Sequence, residues 1–473
     1  MKQKKLVEVN RFDNFNNDSA GIVVEKFYNY YPSNKLKNSS GIDVALFPKN
    51  KTNLSTKELN IAKAGIESIE GIAYFKQYFS RDNITTHRLL VYGSDKKVYI
   101  NQMIDDTYDL FWLYNLTFDS VPIVLTYKKD NEDAAILTSE NKMVIWETSF
   151  SPYTIEDVPI ITSMCMNDGI LFCTIKDPAF KIWYATDLNV ENIGNISNTS
   201  GYISLEDDLG YARKVLTFNE DVYVFRDYGI SKISHIKNES SVSQVYLSNT
   251  KIYCNTVSIC GNNILFMTKE GLYSFNGVKV VKTKVKFNGL SFENDNAVVS
   301  SLGEKYYLAL KINYNDNHSI LKEEESINNS LIIYNTNDLS YEVIRGVDIK
   351  SLLPLKTEIF EKMLVIFNND YKNKIGEVIK NSKFIDNILP KYWASGSLVK
   401  NMKTKLFTKL YINANSGVKI VLNYDNKKMH LTTYKEGVNE FVFKLCCKDI
   451  KIDISSENEN GEVNSFALDY YEY

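Results

Sequence analysis

An acidic run, Glu206-Asp207-Asp208, carries the side chains that glycoside hydrolysis uses, one carboxylic acid and one carboxylate flanking the scissile bond. Neighbours on a single loop do not stand about 5–9.5 Å apart across a sugar ring, so a solvated turn is the plainer reading and a calcium site the next. The stretch YDLFWLYNLTF from Tyr108 has the rings of a sugar-stacking platform. Its alternation of Phe111, Leu113 and Asn115 against Trp112 and Tyr114 fits better a strand buried on both faces. His87, His235, His318 and His430 are scattered and read as surface or strand histidines rather than ligands. No phosphate-binding loop, zinc-protease helix, nucleophile elbow or dinucleotide fingerprint is present. Cys165, Cys173, Cys254, Cys260, Cys446 and Cys447 contain no C-x-x-C pair; free thiols made in a reducing compartment are expected. The sequence assigns no catalytic residue, cofactor or metal ligand, and a non-enzymatic protein is expected.

The elements that would position any site are strands. Between Arg88 and Lys380 an apolar strand, a polar turn and an aromatic-rich strand recur: RLLVYGSDKKVYI from Arg88, AAILTSENKMVIW from Ala134, GILFCTIKDPAFKIWYA from Gly169, DVYVFRDYGISKIS from Asp221 and NILFMTKEGLYSFNG from Asn263. A sixth copy is split between Lys305 and Ser330, and the seventh is KMLVIFNNDYKNKIGEVI from Lys362. The spacing averages close to the roughly 40–50 residues of one four-stranded propeller blade. Gly93-Ser94-Asp95, Lys269-Glu270-Gly271 and Asn335-Thr336-Asn337-Asp338 place turn formers where each hairpin reverses. About seven blades are expected, with six or eight as alternatives.

Outside the repeats, residues 1–71 read as an extended arm. Within it Ser55-Thr56-Lys57-Glu58 forms a capping box, and Leu59, Ala62, Ile66 and Ile69 follow at helical spacing, which predicts one short helix. Residues 72–390 form the propeller. From Lys391 the strands lengthen and alternate, as in LFTKLYINAN, VKIVLNYD and EFVFKLCCKDIKIDIS, predicting a β-sandwich over 391–473.

Composition agrees with an all-β chain: 473 residues, 44% hydrophobic, with 32 Tyr and 24 Phe. A net charge of −3 gives no footprint for nucleic-acid binding. The lysines Lys279, Lys282, Lys284 and Lys286 read as a solvated strand face. No signal peptide follows the first lysines, and no run is long and apolar enough to span a membrane, so a soluble chain without a cleaved signal is expected. The N-x-S/T triplets at Asn83, Asn115 and Asn195 are read as chance in an Asn-rich chain.

The segment Phe180 to Ile233, FKIWYATDLNVENIG…GYISLEDDLGYARKVLTFNEDVYVFRDYGISKI, resembles the propeller proteins of tailed-bacteriophage virions. The opening, with Phe12, Phe15, Asn29 and the turn at Gly41, is similar to their threading N-terminal segment, and YWASGSLVKNMKTKLFTKLYINANSG from Tyr392 is similar to the last propeller strand and sandwich of tail nozzle proteins. WD dipeptides, Kelch double glycines and sialidase boxes are absent. The resemblance implies a structural, nozzle- or neck-like tail component, made in the host cytoplasm and located in the virion. It would assemble as a homo-oligomeric ring around the DNA conduit beside other tail or neck proteins. DNA would pass non-specifically through the lumen, where acidic side chains would let the duplex slide by repulsion. Ile22, Val23, Val24, Phe27 and Tyr28 of the arm are the expected subunit contacts. The alternative function is a host-surface propeller that binds or cleaves glycans, which needs acidic and aromatic groups convergent on one face.

Overall fold

The structure, a computed structural model, describes residues 66–380 and 403–472 apart from several loops, together with the strands Lys4–Val9, Ser39–Ser40, Thr52–Lys57, Lys383–Phe384, Asn387–Ile388 and Lys391–Ala394. The fold is all-β, built from many small antiparallel sheets. Sheet 1 contains Ile69–Phe79, Ile84–Gly93, Lys97–Gln102 and Leu110–Thr117, paired in chain order. Sheets 2 to 6 repeat that order over residues 123–155, 161–204, 212–247, 252–282 and 291–345. Sheet 7 is Ile349–Lys356, Glu361–Phe367 and Ile375–Lys380, with Thr52–Lys57 as its fourth strand. Such a series fits a β-propeller.

The second strand of each sheet explains the apolar runs of the repeat. In Glu132–Ser139, Ala135 and Leu137 pack into a cluster shared with sheet 1, while Ile136 packs into the cluster shared with sheet 3. A strand covered on both faces turns apolar on successive residues, so its middle reads as continuous rather than alternating hydrophobicity. Each such Leu or Ile contributes about 1.5–3 kcal/mol on burial. Tight turns join the strands. Asp168-Gly169 and Asn219-Glu220 both have two successive residues at positive φ, the geometry that matches the twist of a two-residue hairpin.

One apolar cluster joins every sheet to the next. A seventh, formed by Ile66, Ile69, Leu89, Val91 and Tyr99 against Leu355, Leu364, Ile366 and Ile375, joins sheet 7 to sheet 1. Polar bonds cross the same junction. Ile69 N donates to Lys372 O at 2.8 Å, Tyr74 Oη donates to Lys356 O at 3.1 Å, and Lys350 pairs with Glu70.

Of the remaining strands, Lys383–Phe384 and Asn387–Ile388 form a short two-stranded sheet, and the others form two stacked sheets. One runs Lys4–Val9, Val463–Glu472, Lys405–Ala414, Gly437–Cys447; the other runs Ser39–Ser40, Lys391–Ala394, Lys451–Ser456, Lys419–Tyr424, Lys427–Thr432. Phe407, Leu410 and Leu468 meet Ile420, Leu422 and Ile452 between them, in a core continuous with the one between sheets 5 and 6.

One expectation is corrected. Ser55, Thr56 and Lys57 do not cap a helix: they pair with Glu377, Gly376 and Ile375, and Ile69 opens the first strand of sheet 1. Without them Ile375–Lys380 would be an open edge with unpaired backbone groups, so tertiary pairing overrides the local capping pattern. Within residues 1–71 the strands Lys4–Val9 and Ser39–Ser40 each join one of the stacked sheets, and Thr52–Lys57 joins sheet 7. The contacts expected at Ile22, Val23, Val24, Phe27 and Tyr28 lie outside the described residues, as do Leu59 and Ala62.

Candidate functional site

The first strands of consecutive sheets lie against one another. Those of sheets 3 to 7 line a central cavity of about 840 Å³, into which Thr162, Lys214, Lys251, Asn255, Asp295 and Ser351 contribute polar groups. Much of this polarity is consumed in joining sheets. Asn255 Nδ2 donates to Ala297 O at 2.7 Å and the Ser258 and Ser301 hydroxyls lie 2.8 Å apart, tying sheet 5 to sheet 6. Ser163 does the same between sheets 3 and 4, its hydroxyl donating to Val215 O at 3.3 Å and accepting from Val215 N at 3.2 Å. Lys214 is half-buried in this wall, and loss of solvation lowers its pKa. Its titratable neighbours are the thiols of Cys165, pushed up by burial to about 12, and Cys254, pushed up further.

The acidic loop singled out in the sequence has a different character. Arg226 ends a strand of sheet 4 and is fully buried. Its Nε donates to Gly210 O at 2.9 Å, its Nη2 donates to Gly210 O at 2.7 Å and Leu205 O at 3.0 Å, and its Nη1 pairs with the Asp207 carboxylate. Burial lowers the Arg226 pKa, and the charge and hydrogen bond of Asp207 oppose that shift. Leu209 N donates to Asp207 Oδ1 at 3.1 Å, which closes the turn. Gly210 sits at φ +82°, and a Cβ there would stand 2.8 Å from that of Asp227, so only glycine fits. Asp227 in turn accepts from Tyr211 N at 3.0 Å and from Arg213 Nε at 3.0 Å.

This fixed loop brings aromatic rings to the carboxylate. Leu205 N donates to Phe180 O at 2.9 Å and Ala212 N to Ala179 O at 2.8 Å, placing Phe180 beside the loop and Tyr211. Phe180, Leu205, Asp207, Gly210 and Tyr211 line a surface slot of about 340 Å³. Tyr202, paired with Trp183 in the adjoining strand, is 54% exposed, and Tyr211 is 51% exposed. The Lys181 ammonium lies 5.8 Å from the centroids of both Phe180 and Tyr202, and the Arg213 guanidinium lies 5.1 Å from that of Tyr211.

The structure distributes the other candidates widely. Glu206, His318, Lys284 and Lys286 lie outside the described residues, as do the side chains of His235, Phe111 and Trp112. The Tyr108 stretch supplies Leu110–Thr117, the outermost strand of sheet 1. His87 bonds to Tyr74 through Nδ1, and His430 is exposed on the stacked sheets. All six cysteines are free thiols, and five of them are buried. Among the described residues no three His, Cys, Asp or Glu side chains converge as a metal site, and no helix is long and apolar enough to cross a membrane.

A second surface feature is Gly437–Cys447, the outermost strand of its sheet. Val438 is 55% exposed and Val442 72%, with Phe441 and Phe443 half-buried on the opposite face. Cys446, the exposed thiol, is on the same strand.

No family model matches the chain, and no curated protein does. Among solved structures it is similar, at 10% identity, to the extracellular domain of BT4673 from B. thetaiotaomicron, covering 88% of this chain and 58% of that one with a TM-score of 0.45. It is similar at 9% identity to a structure of the dihydro-heme d1 dehydrogenase NirN, covering 78% and 74%, TM-score 0.43. A structure of BBS1N in complex with ARL6DN is 10% identical over 67% of this chain and 95% of that one, TM-score 0.43.

Proposed function

We propose that this chain is a non-enzymatic structural protein: a closed seven-bladed propeller with a C-terminal sandwich that assembles as a ring in a bacteriophage tail, nozzle- or neck-like, beside other tail or neck proteins. The seven inter-sheet clusters, the last sheet against the first included, support the blade count and the closure. The sequence resemblance supports the virion assignment. The observation that carries assembly is the strand Gly437–Cys447. It is an eleven-residue edge with Val438 and Val442 facing solvent, and a long open edge offers backbone hydrogen bonds to a strand of another copy. The conduit in this reading lies between copies. A duplex, whose major groove alone is about 12 Å wide, does not pass through a cavity of 840 Å³ within one chain.

Electron microscopy and native mass measurement of the purified chain over a range of concentrations test this reading. A ring of defined symmetry is expected, with the Cys446 thiol protected from maleimide in the ring and reactive in the monomer. Val442→Lys should dissociate the ring without unfolding the chain. A monomer at every concentration, with Cys446 equally reactive throughout, would overturn it.

A further inference from the structure

The slot beside the acidic loop is independent of the assembly edge and has features of its own. Single exposed aromatic residues are ordinary on a protein surface, but a patch of them around a cavity marks a binding site. Here Phe180 and Tyr211 line one cavity, with Tyr202 next to Phe180 across the Lys181 ammonium.

We propose that this slot binds one neutral pyranose unit of a glycan. Its charge pattern selects that chemistry. The ring faces already hold cations, Lys181 over Phe180 and Tyr202 and Arg213 over Tyr211, so a cationic ligand meets like charge where it would otherwise stack. The Asp207 carboxylate lines the slot, and the exposed Asp208 follows it in the chain, so an anionic ligand is disfavoured too. What fits is an uncharged molecule with one apolar face for the rings and hydroxyl groups able both to donate to the Asp207 carboxylate and to accept from Lys181. A pyranose has that division. The slot, of about 340 Å³, has room for a single sugar ring.

The slot is also preformed. Arg226 holds Leu205, Asp207 and Gly210 together from beneath, and Gly210 allows the close approach of Asp227, so little ordering is required when a ligand enters. Carboxylate and rings do not make a hydrolase here. One exposed carboxylate pair on adjacent residues lacks the separation of a glycosidase, and recognition is the function the geometry supports.

The test is saturation-transfer NMR of the full chain with the methyl glycosides of glucose, galactose, mannose, fucose and the two N-acetylhexosamines, and with sialic acid as the anionic comparison, followed by calorimetric titration of any that respond. At least one should bind with Kd of about 1 mM or below. Tyr211→Ala and Phe180→Ala should each weaken it at least about tenfold, whereas Tyr434→Ala, an exposed tyrosine on the stacked sheets, should leave it unchanged. Tyr211→Trp retains a ring and should retain binding, which separates loss of the platform from loss of the fold. No response from any glycoside, binding undiminished in the Phe180→Ala, Tyr211→Ala double variant, or a response to sialic acid alone would each overturn the proposal. None of these outcomes depends on whether the chain forms a ring.

Discussion

The seven-sheet region and the stacked sheets use the same antiparallel strands but cover them differently. In the first, a strand such as Ile170–Ile175 is buried along nearly its whole length, because sheets pack on both of its faces. In the second, Lys405–Ala414 and Gly437–Cys447 alternate between buried and accessible residues, because one face meets the other sheet and one meets water. The difference teaches that hydrophobic pattern reports the number of covered faces, and only through that the architecture. It also tells where the molecule has adhesive surface to spare. Interior strands of the seven sheets have none, whereas the open strand Gly437–Cys447 has a row of it.

The sharpest way to break this comparison is to remove a fully buried cation from each region, Arg226 from the first and Lys405 from the second. Arg226→Ala leaves the carbonyls of Leu205 and Gly210 unpaired and the Asp207 carboxylate without its partner, and should cost about 3–5 kcal/mol in chemical denaturation. Lys405→Ala, which strips donors at 3.1 and 2.9 Å from the carbonyls of Lys403 and Lys448, should cost less, about 1–3 kcal/mol. Equal losses would mean that the Asp207 pair adds nothing.

Truncating apolar side chains sharpens the contrast between covered and open faces. Phe266 is fully buried against the rings of Phe225, Tyr246 and Tyr273, so Phe266→Ala should cost about 3–5 kcal/mol. Val442→Ala should lie within about 0.5 kcal/mol of the parent when measured on the monomer. A large loss at Val442 in the monomer would show that the edge is covered within one chain. Intermediate in size, Gly210→Ala should cost about 1–3 kcal/mol through its positive φ and the contact with Asp227, read as a lower melting temperature.

The smallest effect concerns the junction of sheets 7 and 1. Partial burial acts to raise the Glu70 pKa, but the hydrogen bonds of Lys350 and Ser68 and the charge of Lys350 outweigh it, and the net shift is downward. A carboxyl depressed in the folded state stabilises above its unfolded pKa, about 4.3, and that contribution disappears as pH falls through the folded value. Glu70→Gln should therefore lower stability by less than about 1 kcal/mol at pH 7, the pair being partly solvated, and the two proteins should converge in acid. A difference that grew on acidification would show that the pair does not stabilise the junction.

The all-β class and the hairpins were legible because continuous apolar runs and turn residues are local signals. The second and third strands of every sheet fall within the repeats quoted above, as with Asn263–Thr268 and Gly271–Phe275. Thr52–Lys57 was not legible: its strand identity comes from Ile375–Lys380, far along the chain, while its own residues spell a helix cap. The slot was only half legible. Asp207 stood out, but Phe180 and Tyr202 reach it through strand register and backbone bonds that no spacing reveals. A usable signal did exist in GYISLEDDLGY, where Tyr202 and Tyr211 bracket the acidic run. The aromatic stretch at Tyr108 drew attention by density alone and forms an outer strand.

The use of Thr52–Lys57 as the fourth strand of sheet 7 has a kinetic consequence. During synthesis this strand leaves the ribosome well before its partner Ile375–Lys380 exists, with the residues of sheets 1 to 6 made in between. The segment Lys4–Val9 waits longer still for Val463–Glu472. Both pairings join residues hundreds of positions apart, the class of contact that costs most to form, so neither strand can find its native partner until the late chain has been made.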